Sequence, residues 1–347
     1  MSFLDFDKAP ALAAGTGSSL RYLHGLAASI AGAPTSIFAP QATPAHTIFG
    51  LSLLVMAIVL TIFLVVGGLL LYALIRFRSR PGDDAEEPRQ IYGSNQVEVL
   101  WTVIPILILV VLFLATIRVI GGTERARKPA DALDVLVLGH QFWWEYRYPK
   151  QGFVTANELH IPVSDPRHPR PTYLTMSSVD VDHSFWVPRL AGKMDLIPNK
   201  TNVMWIDPQK TGLYLGQCAQ YCGMGHAKML IRVYVDTPAQ FAAWVKAQQQ
   251  PAVDDPSVAA GKEVFLHMAC VNCHTVRGTS AHGTFGPDLT HLASRDTIAS
   301  GTIQNTPSNL RRWIEDPDAM KMGALMPKMN LTPHDLDLVT AYMASLR

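Results

Sequence analysis

The sequence predicts a membrane-anchored, multidomain chain with a hairpin of two transmembrane helices, an all-β domain and an all-α C-terminal domain. Residues 48–75 and 99–117 contain no formal charge, and a membrane span needs about 20 predominantly apolar residues. Residues 123–236 alternate apolar and polar side chains with the period of a strand. Residues 257–347 contain helix caps followed by apolar residues at helical spacing. We therefore expect a tail at 1–35, the hairpin at 36–122, a β domain at 123–248, a linker at 249–256 and a helical domain at 257–347.

The composition excludes several classes of protein. Of the 347 residues, only 16% are charged and 48% are hydrophobic, whereas a typical soluble domain has about 25% charged residues. An ordinary cytosolic enzyme and a disordered protein are therefore excluded. The 29 basic and 28 acidic residues nearly cancel, and no block of five like charges occurs, so nucleic acid is not an expected partner.

The N-terminal tail has two interpretations. It is rich in Ala, Gly and Ser, and residues 31–33 read Ala-Gly-Ala, as at a signal-peptidase cleavage site. However, Arg21 and His24 interrupt the preceding stretch, and Asp5 and Asp7 stand where a signal has basic residues. A cleaved signal and a retained tail both remain open.

The hairpin follows from the two apolar runs and the short polar loop between them. The first run ends at Arg76, and the second contains Pro105. Both ends of a hairpin lie on one side of the membrane. Basic residues flank both the loop and the end of the second run, so their distribution does not determine the orientation.

The remaining elements follow from strand alternation and helix caps. Trp144, Tyr146 and Tyr148 alternate with charged residues, as in strands of an antiparallel sandwich or barrel. Thr237-Pro238, Thr306-Pro307 and Thr332-Pro333 are typical helix starts, each with an N-cap followed by a proline. They predict one helix after the strands and at least two in the C-terminal domain.

Residues 270–274 read Cys-Val-Asn-Cys-His, the attachment signature of a c-type haem. A redox dithiol would need a βαβ pattern, and a zinc site would need further ligands, since the other two of the four cysteines lie about 50 residues upstream. We therefore predict covalent haem c at Cys270 and Cys273, with His274 on the iron. The sixth ligand is sought among the nearby methionines, which are Met320, Met322, Met326, Met329 and Met343.

This region resembles class I cytochromes c, in which a Met-Pro pair precedes the last helix. Met326-Pro327 matches that pair, so the resemblance implies Met326 as the sixth ligand, with Met329 as the second choice. Gly286-Pro287 fits the loop beside the haem histidine. Haem is attached covalently on the oxidising side of a bacterial membrane, so both chain ends are expected in the periplasm and residues 76–89 in the cytoplasm.

A second cysteine pair lies in residues 218–229, where Cys218, Cys222, His226 and Met229 are closely spaced. Thiolate, thioether and imidazole donors suit copper. One cysteine would serve a mononuclear blue site, whereas two allow the sulfurs to bridge two coppers. The second copper then needs a nitrogen from elsewhere in the domain. A plain disulfide is the alternative, but it leaves His226 and Met229 without a role.

The motif resembles subunit II of cytochrome c oxidase, whose binuclear copper centre is called CuA, and the similarity extends over residues 40–236. The resemblance implies a cupredoxin-like Greek-key barrel. It also implies His183, in an Asp-x-x-His-Ser-Phe stretch, as the second imidazole ligand and the backbone carbonyl of Gln220 as a further ligand. The helical domain then corresponds to the cytochrome c that some oxidases carry fused to this subunit.

For function, the resemblance implies an electron relay in the bacterial inner membrane. Electrons would enter at haem c, pass to CuA and leave for subunit I, where O2 is reduced to water, so no catalytic residue is expected in this chain. Expected partners are subunit I, subunit III and a donor such as a soluble cytochrome c or a cytochrome bc complex. The alternative is the CuA subunit of a nitric oxide reductase, which differs only in its partner.

Phe142, Gln220 and Glu98 are three further positions at which the sequence can be compared with the family pattern. Phe142 stands where the family has the tryptophan that receives electrons, so Trp143 and Trp144 are candidates for that role, or are simply core and rim aromatics. Gln220 replaces a glutamate that helps to bind magnesium, so we do not expect magnesium. Glu98 matches a residue at the mouth of a proton pathway, or is an interfacial carboxylate that marks a helix start.

Overall fold

The computed structural model describes residues 33–78, 90, 92–124, 128–130 and 132–347. Most of the N-terminal tail, and with it the question of a signal segment, lies outside these residues. So does most of the loop between the two apolar runs, including Arg80 and Arg89.

The two predicted spans form long helices, α1 (Thr43–Arg76) and α2 (Asn95–Glu124). The most apolar stretch of each helix is exposed to the outside of the protein, which is where a membrane span contacts lipid. Both helices extend beyond the uncharged runs. At the start of α1, the carboxylate of Asp207 acts as the cap, because it accepts the Thr43 backbone N–H at 2.7 Å and the Thr43 hydroxyl at 2.5 Å. A β-domain residue therefore connects the hairpin to the β domain.

The β domain consists of two five-stranded sheets. The strands are β1 (Leu133–His140), β2 (Trp143–Tyr148), β3 (Phe153–Ala156), β4 (Glu158–Pro162), β5 (Thr172–Ser178), β6 (His183–Trp186), β7 (Met194–Leu196), β8 (Asn202–Ile206), β9 (Gly212–Cys218) and β10 (Leu230–Asp236). One sheet has the order β3-β2-β1-β5-β8 and the other β4-β10-β9-β6-β7. The sheets are mixed and not purely antiparallel as the alternation suggested, because β1 pairs with β5 and β4 with β10 in parallel.

The core lies between the two sheets. Trp144, Tyr146 and Tyr148 of β2 all point into it and are fully buried, as their alternation predicts. Helix α3 (Pro238–Gln248) begins with a capping box at Thr237. Its Trp244 stacks on the ring of His160 at a centroid distance of 4.3 Å, which closes one end of the domain.

The C-terminal domain has its own apolar core, formed by short helices. These are α4 (Ala259–His267), α5 (Cys270–Cys273), α6 (Pro307–Glu315), α7 (Pro317–Met320) and α8 (Pro333–Ser345), with a small hairpin of β11 (Thr297–Ile298) and β12 (Ile303–Gln304). The predicted caps Thr306 and Thr332 begin α6 and α8. Gly261 lets α4 cross α8 closely, because a Cβ there would overlap the carbonyl of Leu338.

Candidate metal and haem sites

The sulfur and imidazole donors predicted for copper come together at one end of the β domain. Cys218 ends β9, and the following loop carries Cys222 and His226 before Met229 leads into β10. His183, the first residue of β6, is distant in sequence. Strands β6 and β9 are hydrogen-bonded neighbours, so their pairing brings His183 to the same cluster.

The distances within the cluster are short. The Sγ atoms of Cys218 and Cys222 are 3.9 Å apart. His183 Nδ1 lies 4.0 Å from Cys218 Sγ, and His226 Nδ1 lies 3.6 Å from Cys222 Sγ. Met229 Sδ is 3.9 Å from Cys222 Sγ. All of these side chains are buried except His226, which is half-buried.

The backbone carbonyl of Gln220 also belongs to this cluster, since it lies 3.2 Å from Cys218 Sγ. A disulfide needs sulfur atoms about 2.05 Å apart, so the two cysteines are free thiols in this arrangement. Hydrogen bonds from Cys222 and His183 lower the pKa of Cys218 well below its ordinary value, and the nearby Cys218 sulfur raises the pKa of Cys222. The pair thus shares a negative charge that favours a soft cation.

The orientation of His183 is controlled by Asp180. Asp180 Oδ1 lies 2.9 Å from His183 Nε2, and this contact directs Nδ1 toward the sulfurs. Burial lowers the pKa of His183, but the hydrogen bonds to Asp180 and Cys218 outweigh burial and raise it. A carboxylate behind a ligand histidine is the usual way to fix its tautomer and raise its basicity.

The haem signature lies on the wall of a cavity of about 660 Å³. Cys270, Cys273 and His274 all line it. Of the candidate methionines, Met326, Met329 and Met343 line the cavity as well, whereas Met320 and Met322 lie outside its wall. Met343 also belongs to the apolar core of the domain.

His274 is held by the loop that follows the signature. Its Nδ1 lies 2.8 Å from the carbonyl of Pro287, and since a carbonyl only accepts, Nδ1 carries the proton and Nε2 keeps its lone pair. Burial lowers the pKa of His274, despite the hydrogen bond to Pro287, and so favours the neutral imidazole that iron requires. Gly286 permits the close approach, since a Cβ there would come within 2.6 Å of the ring.

The cavity is not confined to the C-terminal domain. The turn between β1 and β2 contributes Gln141, Phe142 and Trp143 to its wall. The same turn contacts the copper loop on its other side: Gln141 Nε2 donates to the carbonyl of Cys222 at 2.5 Å. The Phe142 ring packs so closely on Gly225 that a Cβ there would overlap it. A single turn therefore separates the haem cavity from the sulfur cluster.

Three families match successive parts of the chain. Residues 34–119 match the transmembrane domain of cytochrome c oxidase subunit II, residues 166–235 its periplasmic domain, and residues 258–347 cytochrome c. Cytochrome c oxidase subunit 2 from Alkalihalophilus pseudofirmus is 35% identical over 317 residues, which cover 89% of each chain. The chain belongs to the cytochrome c oxidase subunit 2 family.

A second relative agrees with this assignment, and a solved structure is similar to part of the chain. The subunit 2 from Bacillus sp. strain PS3 is 33% identical and covers 78% of this chain and 80% of its own. The periplasmic domain of subunit II from Bradyrhizobium japonicum is 29% identical, covers 35% of this chain and 97% of that one, and has a TM-score of 0.33. The chain is thus subunit II of a haem-copper oxidase with a cytochrome c domain. Nothing in these comparisons supports the nitric oxide reductase alternative.

Membership of the subunit 2 family implies copper in the β domain, and the cytochrome c domain implies haem c. The residues fit both groups. The buried cluster offers two thiolates, two imidazoles and a thioether, which is a donor set for copper and not for calcium or magnesium. Two cysteine thiols, a neutral histidine and several methionines line the same cavity, which is a donor set for haem c.

The remaining predicted residues lie apart from the donors. Trp143 lines the haem cavity and stacks on His140 at a centroid distance of 4.0 Å. Trp144 is fully buried with its ring 6.1 Å from that of His183, so it is a core residue beside the cluster and has no exposed edge. Glu98 lies in the first turn of α2, about 40 Å along the helix from the β domain at 1.5 Å of rise per residue.

Sequence reasoning missed two residues between the β domain and the cytochrome c domain. Lys321 is 3% exposed and Glu158 is 4% exposed, and each hydrogen-bonds to the other domain. Burial lowers the pKa of Lys321 to about 7, and burial raises the pKa of Glu158 against the hydrogen bond from Thr297. Neither residue belongs to a motif, so only the packing of the two domains reveals them. The role of Asp180 had a signal, its place three residues before His183.

Proposed function

We propose that this chain takes up electrons for its oxidase at a haem c in the cytochrome c domain and passes them, through a binuclear copper centre in the β domain, to subunit I, where O2 is reduced to water. The observation that carries the proposal is the shared turn at residues 140–143. It lines the haem cavity on one side and packs on the copper loop on the other.

The chain's own residues supply the copper donors in this proposal. Cys218 and Cys222 would supply two thiolates to the copper, and His183 and His226 would each supply Nδ1. Met229 and the Gln220 carbonyl complete the set. Asp180 holds His183 in the required orientation.

The cytochrome c domain holds the haem in a comparable way. Cys270 and Cys273 would attach the haem through their sulfurs, His274 would supply Nε2 because Pro287 holds Nδ1, and Met326 would supply its thioether sulfur. When bound, the two groups supply one-electron redox chemistry at two neighbouring places in one chain. Asp180 and the Pro287 carbonyl fix the orientation of His183 and His274.

In the membrane, α1 and α2 would form the hairpin that anchors the chain in the bacterial inner membrane, with both redox sites on the periplasmic side. Strand β8 packs against both helices, so the β domain sits on the hairpin. Glu98 then lies at the opposite, cytoplasmic end, which is where a proton pathway into subunit I would begin. Subunit I, subunit III and an external electron donor would be the partners.

Electron paramagnetic resonance of the oxidised full chain, loaded with copper and matured with haem, tests the proposal. One electron shared by two copper nuclei produces a seven-line hyperfine pattern, whereas one copper nucleus produces four lines. We expect the seven-line pattern beside a low-spin haem signal. Four lines, or no copper signal with full copper loading, would contradict the binuclear centre without affecting the haem assignment.

A further inference from the structure

Two buried polar side chains cross the boundary between the β domain and the cytochrome c domain in opposite directions. Lys321 of the cytochrome c domain donates from Nζ to the carbonyl of Phe142 at 2.7 Å. Glu158 of the β domain accepts the Thr297 backbone N–H at 3.0 Å, the Thr297 hydroxyl at 2.9 Å and the Asp296 backbone N–H at 3.2 Å. Each side chain thus has at least one hydrogen-bond partner across the boundary.

Lys321 lies at the turn that the two sites share. It lines the haem cavity, and a second hydrogen bond, to the carbonyl of Ala299 at 3.2 Å, fixes it within its own domain. Its partner Phe142 packs on Gly225 of the copper loop. The Lys321 amine therefore connects the wall of the haem cavity to the turn that packs on the copper loop.

Glu158, the first residue of β4, contacts a segment of the cytochrome c domain that lies next to Ala299, the second partner of Lys321. Three donors from one short segment, residues 296–297, converge on its carboxylate. Arg232 Nε, 3.8 Å away, is the nearest cation within the β domain. A buried carboxylate without donors is unfavourable, and most of the donors of Glu158 belong to the other domain. Its full set of protein donors is therefore present only when the two domains are together.

The segment that connects the domains is also attached. The carbonyl of Gln250 accepts from His291 Nε2 at 3.1 Å, and the Ala252 N–H donates to the carbonyl of Arg277 at 3.0 Å. These hydrogen bonds hold the linker against the cytochrome c domain, so the linker is not a flexible, unattached segment.

We propose that Glu158 and Lys321 dock the cytochrome c domain on the β domain in one fixed position, and that Lys321 is a positioning residue for electron transfer between the two sites. The electron-transfer part rests on the proposed function, whereas the docking does not. A cytochrome c domain that moved freely on a flexible linker would have to dock before each electron transfer. A domain that is already docked transfers the electron without this step.

Hydrogen exchange of the full chain, followed by mass spectrometry, tests the docking. The amides of Asp296 and Thr297 should exchange slowly in the unchanged protein because their acceptor is Glu158. Glu158→Gln should raise their exchange rates at least tenfold. Glu263→Gln, which changes an exposed carboxylate of the cytochrome c domain, should leave the rates unchanged. Exchange of these amides at the unprotected rate in the unchanged protein would overturn the docking.

Rapid reduction of the haem in the assembled oxidase, followed optically at haem and copper, tests the positioning role. Lys321→Met, which keeps the length of the side chain and removes its donors, should slow transfer at least tenfold and make it dependent on solvent viscosity. Haem absorption and copper resonance spectra should stay unchanged. Lys262→Met is the matched control, because Lys262 bonds Asp254, outside the β domain, at 2.7 Å.

The outcomes separate the two proposals. If the unchanged protein transfers no electron from haem to copper, the proposed function fails. If it does transfer, and Lys321→Met transfers equally fast with intact spectra, only the positioning role fails. If the rate of electron transfer in the unchanged protein depended on solvent viscosity, the cytochrome c domain would be moving before each transfer. This result would overturn the fixed docking.

Discussion

His183 Nδ1 lies 4.0 Å from Cys218 Sγ, although 35 residues separate the two in the chain. The contact results from the pairing of β6 with β9, in which Phe185 lies opposite Cys218. The pairing of these two strands thus brings His183, which does not belong to the copper loop, to the other candidate copper donors. The first predictions test this arrangement.

Replacing Cys222 by serine should abolish the binuclear copper signal and leave haem attachment intact. The hydroxyl is a much poorer copper donor than a thiolate, and Cys222 is the sulfur closest to both His226 and Met229. Electron paramagnetic resonance and the haem absorption spectrum measure both effects on one sample. A mixed-valence copper signal in this variant would contradict the ligand assignment.

Asp180→Asn should weaken copper binding by about 10- to 100-fold, the usual effect of removing a carboxylate behind a ligand histidine. The carboxylate directs the His183 ring through a 2.9 Å contact. Competition with a copper chelator of known affinity measures the change. Asp182→Asn, at a neighbouring exposed position, is the control. Equal losses in both variants would mean that surface charge, and not ring orientation, matters.

Met326→Ala should convert the haem from low spin to high spin, because the sixth ligand is lost. Met329→Ala is the informative comparison, since both methionines line the cavity and lie three residues apart. Optical spectra of the oxidised and reduced forms distinguish the spin states. If Met326→Ala stays low-spin and Met329→Ala does not, the sixth ligand is Met329.

Asp207→Ala should destabilise the junction of hairpin and β domain by about 1 kcal/mol, the usual effect of losing a helix cap. The carboxylate accepts both the backbone N–H and the hydroxyl of Thr43 at the start of α1. Thermal unfolding of the full chain in detergent measures the change. Glu263→Ala, at an exposed site in another domain, should have no effect.

The same junction should respond to pH. Burial raises the pKa of Asp207 above its ordinary value of 3.8, despite the hydrogen bonds from Thr43. The protonated form is therefore favoured in the folded chain, so this contribution is full below pH 3.8 and is lost as the pH rises through the higher folded pKa. Relative to Asp207→Asn, the unchanged protein should lose stability as the pH rises from 3.8 through the higher pKa of the folded chain. Parallel curves for the two proteins would contradict this.

Much of the fold followed from local patterns. The two uncharged runs predicted α1 and α2, and Thr237, Thr306 and Thr332 predicted the starts of three helices. The boundaries of α1 and α2 were less accurate, because the helices continue past the apolar runs. The parallel pairs in the sheets were also missed, since strand alternation does not reveal which strands become neighbours.

By itself, the sequence predicted most donors of the two candidate sites, since Cys218, Cys222, His226 and Met229 lie on one loop and Cys270, Cys273 and His274 on one turn. Short spacing restricts such residues to a few ångströms whatever the rest of the chain does. Only the tertiary structure decided which methionines reach the haem cavity and that Lys321 and Glu158 join the two domains. These contacts depend on long-range packing, in which the burial of polar groups must be satisfied by partners far away in the chain.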